Sequence, residues 1–185
     1  MVVDGGEDRL FRALSAQSRR TILRLLGEQE RTVNQVAQAA GLSVSLASRH
    51  LTFLSDLGLL ASRTVSPQKL YSLRVKIIST LLTHYERIQQ YHRFEHQRGE
   101  ELFSRVVNTS SRRALLRLLI KNTLTVKELA AKSSLSVSLT SRHLKLAHDL
   151  GFLQVKIKRP YKYYSVAVEP VKQFLTCSEE VAKHL

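Results

Sequence analysis

The sequence predicts a mainly α-helical protein with small β wings, built as two tandem copies of one domain joined by a long helix. Two observations predict this class. Most of the chain repeats at a constant offset of 93 residues, and each copy contains short amphipathic helices followed by two short strands around a proline-containing turn. The chain is also strongly basic, since 29 Lys and Arg stand against 15 Asp and Glu and give a formal net charge of +14.

The repeat is specific because varied letters return at fixed positions. The segments LSVSL, SRHL and DLG illustrate it, at Leu42–Leu46 and Leu135–Leu139, at Ser48–Leu51 and Ser141–Leu144, and at Asp56–Gly58 and Asp149–Gly151. We therefore predict a first domain over residues 1–74, a linker helix over 75–98 and a second domain with a C-terminal helix over 99–185.

Four helices are predicted in the first copy, and the second repeats them. Leu10, Phe11 and Leu14 outline the first helix, and Ile22, Leu23, Leu25 and Leu26 outline the second, with Ser18 as its expected N-cap. Thr32 is expected to cap a third helix that runs to Ala40 and ends at the turn residue Gly41. Ser43 is expected to cap a fourth helix over 44–57, with Leu46, Leu51, Leu54 and Leu57 facing the core.

Two strands, at 59–64 and 70–73, flank a polar turn, and a hairpin of this size needs the helices for support. Helices followed by such a hairpin predict a winged helix-turn-helix, and the two copies predict two of them in tandem.

The linker segment 75–98 contains neither Pro nor Gly and carries apolar residues at helical spacing. Its apolar stripe is expected to form an interface. Two arrangements stay open: an intrachain pseudo-dimer of the two copies, or a homodimer in which the linker helix and the final helix, 171–184, take part.

Composition excludes several classes of protein. The single Cys177 cannot form an intrachain disulfide or a cysteine-rich metal site. No apolar run is long enough to cross a bilayer. We therefore expect a cytoplasmic, nucleoid-associated protein without a membrane anchor. No glycine-rich phosphate loop or nucleophile motif is present, so no enzyme is expected. His92, His96 and Glu100 are spaced four apart, but polar residues on a helix surface produce this by chance, and we expect no metal and no cofactor.

The segment from Gly41 to Leu51, GLSVSLASRHL, followed by LGLL at Leu57–Leu60, resembles the recognition-helix signature of ArsR-type winged-helix regulators, and the second copy is similar. The resemblance implies operator binding, by a protein that is typically a dimeric repressor. The cysteine pair that many relatives use to sense metal is absent here, where the segments read VNQV at Val33–Val36 and VKEL at Val126–Leu129.

Net positive charge in both halves favours a polyanion, and double-stranded DNA is the expected partner. On the fourth helix one face carries small hydroxyls and an arginine, a composition that suits base edges in the major groove. The candidate contacts there are the cap residues Ser43 and Ser136, then Ser45, Ser48, Arg49 and Thr52 in the first copy and Ser138, Ser141, Arg142 and Lys145 in the second.

Phosphate contacts are expected from three further groups. His50 and His143 either pack against their own domain or reach a phosphate, and Arg19, Arg20, Arg112 and Arg113 lie at a helix start, where they bind an anion or are solvated. The wings add Arg63 and Lys69 in the first copy and Lys156, Lys158, Arg159 and Lys162 in the second, so the second wing is expected to contribute more nonspecific affinity.

The function that follows is a sequence-specific, double-stranded DNA-binding transcriptional regulator acting as a repressor. The alternatives are an architectural, chromatin-like protein that coats DNA and a winged-helix scaffold for protein interactions.

Overall fold

The computed structural model describes residues 5–91 and 99–185, and within them each copy of the repeat has five helices and three strands. The first copy consists of α1 (Gly5–Leu14), α2 (Gln17–Glu28), β1 (Arg31–Thr32), α3 (Val33–Ala40), α4 (Val44–Asp56), β2 (Leu60–Val65), β3 (Gln68–Leu73) and α5 (Ile78–Tyr91). The second consists of α6 (Gly99–Val107), α7 (Ser110–Ile120), β4 (Leu124–Thr125), α8 (Val126–Ser133), α9 (Val137–Asp149), β5 (Leu153–Lys158), β6 (Tyr161–Val166) and α10 (Glu169–Ala182). The predicted class, mainly α with small β wings, is confirmed.

Each wing belongs to a three-stranded antiparallel sheet, in the order β1-β3-β2 or β4-β6-β5. In the first copy the hairpin register runs from Leu60 opposite Leu73 to Val65 opposite Gln68. The short strands β1 and β4 were not predicted, because two residues are too few to show an alternating pattern. They tie the wing to the helix that follows them, which gives the hairpin the support it needs.

The helix-turn-helix of each copy is set by local hydrogen bonds. The hydroxyl of Thr32 accepts from the Gln35 backbone N–H while the Gln35 side chain accepts from the Thr32 N–H, which forms a capping box at the start of α3. Gly41 then takes a left-handed conformation, with φ of 65°, and turns the chain toward α4. In the second copy Ser134 occupies this conformation, with φ of 57°.

The chain divides into two compact units, Met1–Thr83 with Cys177–Leu185, and His84–Thr176. In the first unit Leu10, Ile22, Leu23, Leu51 and Leu54 are fully buried. These residues come from α1, α2 and α4, so one apolar core fixes the position of α4.

The core of the second unit is richer in aromatic side chains. The ring of Phe103 packs at 5.1 Å from Phe174, 5.4 Å from Tyr85 and 5.5 Å from Phe152, measured between centroids. The contacts of Phe103 with Tyr85 and Phe174 are edge-on, an arrangement that the quadrupoles of aromatic rings favour. The predicted domain boundaries at residues 74 and 98 follow the sequence repeat and stay a prediction. The two compact units describe instead which residues pack together.

Three expectations about the helices need correction. The second helix begins at Gln17 after Ala16, and no side chain caps it, so Ser18 is not its N-cap. Leu46 does not face the core, because it is 39% exposed, and Ala47 takes the buried position beside Leu51 and Leu54. The linker helix begins at Ile78 rather than 75, and residues 92–98 lie outside the described part of the chain.

None of the helices in the described ranges is both long and apolar enough to cross a membrane.

Candidate nucleic-acid interface

Helix α4 starts with a serine cap that the second copy reproduces in α9. The Ser43 hydroxyl accepts a hydrogen bond from the Leu46 N–H at 3.2 Å, and Ser136 accepts from the Leu139 N–H at the same distance. Each cap satisfies one of the backbone donors that a helix start leaves open. Ser43 and Ser136 are exposed, so the caps remain at the surface although their hydroxyls are used.

The predicted face of α4 is exposed along its length. Ser45, Ser48, Arg49 and Thr52 all lie at the surface, whereas Ala47, Leu51 and Leu54 on the opposite side are buried. Arg49 has no ion-pair or hydrogen-bond partner among the described residues. The guanidinium of Arg49 and three short hydroxyl side chains therefore face solvent on one side of α4, while the opposite side of the helix packs against the core.

Helix α9 presents the corresponding surface with two changes. Ser138, Ser141, Arg142 and Lys145 are exposed, and Lys145 adds a cation where the first copy has Thr52. The Arg142 guanidinium donates to the Ser138 hydroxyl at 3.4 Å, one helical turn away. The two helices therefore carry similar but not identical sets of donors.

His50 and His143 are placed by packing within their own copies. His50 Nε2 lies 3.0 Å from the Ser18 hydroxyl, and His143 Nε2 lies 3.3 Å from the Ser111 hydroxyl. Burial lowers the pKa of both imidazoles, and the nearby guanidinium of Arg19 lowers the pKa of His50 further. Each histidine connects α4 or α9 to the first turn of α2 or α7, which orients the exposed face of that helix.

The two arginine pairs are structural elements of the helix junctions. Arg20 is 6% exposed and donates to the Leu14 carbonyl at 2.5 Å, and Arg113 is fully buried and donates to the Val107 carbonyl at 2.8 Å. These carbonyls end α1 and α6, where a helix has unpaired acceptors and a negative dipole end. Arg20 and Arg113 therefore cannot contact DNA, which corrects the sequence-based expectation.

Arg19 and Arg112 bind the same helix ends but remain half-buried. Arg19 donates to the carbonyls of Arg12 and Ala13 and stacks on Phe53, 4.9 Å from the ring centroid. Arg112 donates to the Arg105 carbonyl and the Thr109 hydroxyl. Burial lowers the pKa of both guanidinium groups. Both are engaged by the protein, so they offer less to a phosphate than their sequence position suggested.

The first wing has one of its two cations neutralised. The Arg63 guanidinium donates two hydrogen bonds to the same carboxylate oxygen of Glu30, at 2.9 and 2.5 Å. The hydrogen bond to Arg63 lowers the pKa of Glu30, and its counterpart raises the pKa of Arg63. Lys69 lies over the ring of Tyr71, with its ammonium 5.3 Å from the centroid. Sequence reasoning missed Glu30, although its replacement by Thr123 in the second copy was a signal that the wings differ.

The second wing carries free cations. Lys156, Lys158, Arg159 and Lys162 are all exposed, and none has an ion-pair partner within the described part of the chain. In the hairpin Lys156 lies opposite Tyr163 and Lys158 opposite Tyr161, so cations and rings share one face of the ribbon. The tip also exposes Ile157 and Tyr161.

An apolar feature of the recognition faces was not singled out from the sequence. Val44 and Val137, the first residues of α4 and α9, are each 52% exposed. Valine occurs in both cores and surfaces, so the residue type alone gave no signal.

The described residues were also compared with the side-chain groupings that bind metals. Over residues 5–91 and 99–185, no group of three or more His, Cys, Asp or Glu side chains could hold a metal ion. The trio of His92, His96 and Glu100 lies outside the residues and side chains that the structure describes.

Comparison with known proteins gives one family. The model of the bacterial regulatory protein, arsR family, matches the chain twice, over residues 16–62 and 109–155, which together make up half of its length. No curated protein matches the sequence. Among solved structures, the chain is similar to the homodimeric winged helix-turn-helix DNA-binding domain of a possible ArsR-family transcriptional regulator from Mycobacterium bovis. The two are 28% identical with a TM-score of 0.42, over 48% of this chain and 82% of that one.

Proposed function

This chain belongs to the bacterial arsR family of regulatory proteins and contains two segments that match the family, and on that basis we propose that it is a sequence-specific DNA-binding transcriptional repressor. Each copy supplies one reader, α4 or α9, and one wing. The family membership also agrees with the resemblance expected from the GLSVSLASRHL segment.

One observation carries the proposal. The same helix face is exposed in both copies, with hydroxyls and an arginine without an ion-pair partner among the described residues on the outside and a leucine core behind it. An α-helix fits the major groove, where an arginine can take a guanine through two hydrogen bonds and hydroxyls suit several bases. Arg49 and Arg142 are therefore assigned to base recognition, and Ser45, Ser48, Ser138 and Ser141 to close approach and further base contacts.

The wings have different roles in this proposal. The second wing brings four free cations to the phosphate backbone, whereas the first brings Lys69 and an Arg63 that already binds a carboxylate. Phosphate contacts fix position without reading sequence. The second copy therefore supplies most of the nonspecific affinity, and both recognition helices supply specificity.

Repression follows from occupancy, because a protein bound across a promoter excludes the polymerase from it. Two readers per chain allow one chain to occupy two half-sites as a pseudo-dimer, and a homodimer would present four readers. A role on DNA places the protein in the cytoplasm at the nucleoid, and we assign it no cofactor and no catalytic step.

The test begins with selection of bound fragments from a random duplex pool, followed by affinity measurements on the recovered sequence and on a random duplex. Arg49→Ala and Arg142→Ala are each expected to lower affinity for the recovered sequence about 5- to 150-fold, while binding to random duplex changes little. Lys76→Ala is the matched control, because Lys76 is an exposed cation that belongs to neither recognition helix and to neither wing. The spacing of the recovered half-sites and the mass of the complex separate the pseudo-dimer from the homodimer.

An architectural role is the second candidate, and the free cations of the second wing favour it. A coating protein binds every duplex with similar affinity, and its affinity falls with salt by a log-log slope of about −0.9 per phosphate neutralised. A regulator shows a comparable slope but keeps a large ratio between its site and random DNA. Equal affinity for all sequences would replace the repressor proposal by the architectural one.

A further inference from the structure

Two exposed valines stand where the recognition helices would enter DNA. Val44 opens α4 and Val137 opens α9, directly after the serine caps, and the exposed fraction of each side chain is 52%. The equal exposure shows that both copies place this residue outward in the same way. A single exposed valine is common on protein surfaces, but the same residue with the same exposure directly after the cap of both recognition helices points to a role that the two copies share.

The spacing of the helix places each valine beside the polar readers. Val44 lies one turn before Ser48, and Ser45 lies one turn before Arg49, so all four share one surface. The N-terminal residues of a recognition helix are those that reach base edges. Because valine is branched at Cβ, its χ1 angle is nearly fixed in a helix, and its methyl groups point in a defined direction.

The surrounding charge favours DNA over an apolar protein surface. Helix α4 has no acidic residue before Asp56, and α9 has none before Asp149, and each helix exposes an arginine five residues after the valine, on the adjoining part of the exposed surface. On the major-groove edge of DNA the one apolar group is the 5-methyl of thymine. A stiff aliphatic side chain set among cationic and hydroxyl groups matches that group together with its neighbouring acceptors.

We propose that Val44 and Val137 read thymine, by packing their methyl groups against the thymine 5-methyl in each half-site. This inference rests on the proposed function, since it requires that α4 and α9 lie in the major groove. It assigns to each copy one apolar reader in addition to the arginine and the serines.

Replacing thymine by 2′-deoxyuridine removes the 5-methyl and leaves base pairing unchanged, which gives a direct test. Each thymine of the selected sequence is replaced in turn, and affinity is measured for the full chain and for its Val44→Ser and Val137→Ser variants. In each half-site, replacement of one particular thymine is expected to lower the affinity of the unmodified protein about fourfold. This ratio corresponds to the burial of one methyl-sized group. The matching variant is expected to bind the thymine and uracil duplexes equally.

Val65→Ser serves as the matched control, because Val65 is an exposed valine at the end of β2 and is not part of a recognition helix. It should keep the full thymine preference. If a sequence is selected but no thymine shows the effect, or if the effect persists in both serine variants, the thymine contact is wrong while sequence-specific binding stands. If no sequence is selected, the proposed function itself fails, and the inference with it.

Discussion

The pairing of Glu30 with Arg63 predicts that a single substitution will strengthen phosphate binding by the first wing. Glu30→Thr copies into the first copy the residue that the second has at the corresponding position, Thr123. Both partners of the ion pair are exposed, with side-chain exposures of 61% for Arg63 and 39% for Glu30, so loss of the pair should leave the fold intact. The substitution releases the Arg63 guanidinium at the edge of the wing.

The size of the effect follows from counterion release. One additional cation that neutralises one phosphate steepens the log-log dependence of affinity on salt by about 0.9. When salt is raised from about 50 to about 200 mM, the variant should therefore lose roughly 3.5-fold more affinity than the unmodified protein. The reciprocal change, Thr123→Glu, is expected to engage Lys156 and to make the slope shallower by the same amount.

The assay is a salt titration of binding to a random duplex, with Glu28→Gln as the matched control. Glu28 is also an exposed carboxylate, but its partner Arg31 is largely covered and donates to the Leu25 carbonyl, so its loss frees no wing cation. Equal slopes for the Glu30 and Glu28 variants would refute the reasoning, because the change would then reflect net charge alone.

Three further predictions concern stability. Arg113→Met should lower the free energy of unfolding by about 1.5–3 kcal/mol in chemical denaturation, because it leaves the buried Val107 carbonyl without its charged donor. Thr32→Ala should cost about 1 kcal/mol in the same assay, since it removes the hydroxyl that caps α3. Stability should fall as pH is lowered from about 7.5 through 6.5, because the pKa of His50 and His143 is depressed in the folded state and the unfolded chain takes up more protons. Replacing both histidines by Gln should reduce the pH dependence of the denaturation midpoint in this window.

Each of these predictions has its own control. Arg105→Met removes an exposed arginine from the same region and should change stability little, so a similar loss in both variants would contradict the buried role of Arg113. Thr123→Ala removes an exposed threonine that caps no helix, and it should be nearly neutral. A pH dependence unchanged in the double histidine variant would assign the effect to other groups, of which His84 is one, because burial lowers its pKa too.

Interactions between residues close in sequence were predictable. The cap at Thr32 and the left-handed turn at Gly41 depend on residues at most four apart, so their letters indicate the geometry directly. The same holds for the exposed face of α4, because helical periodicity sorts Arg49 from Leu51 without reference to the rest of the fold.

The sequence by itself determined that one domain occurs twice, that each copy is a helix-turn-helix with a wing, and that one helix per copy exposes hydroxyls and an arginine. The tertiary structure decided which cations are free. Adjacent arginines look alike in sequence, but in the fold Arg20 is buried against the Leu14 carbonyl while Arg19 stays half-exposed. The sheet likewise brings Glu30 to Arg63 across 33 positions. Because a charge becomes available or engaged through its neighbours in space, no local pattern could assign these roles.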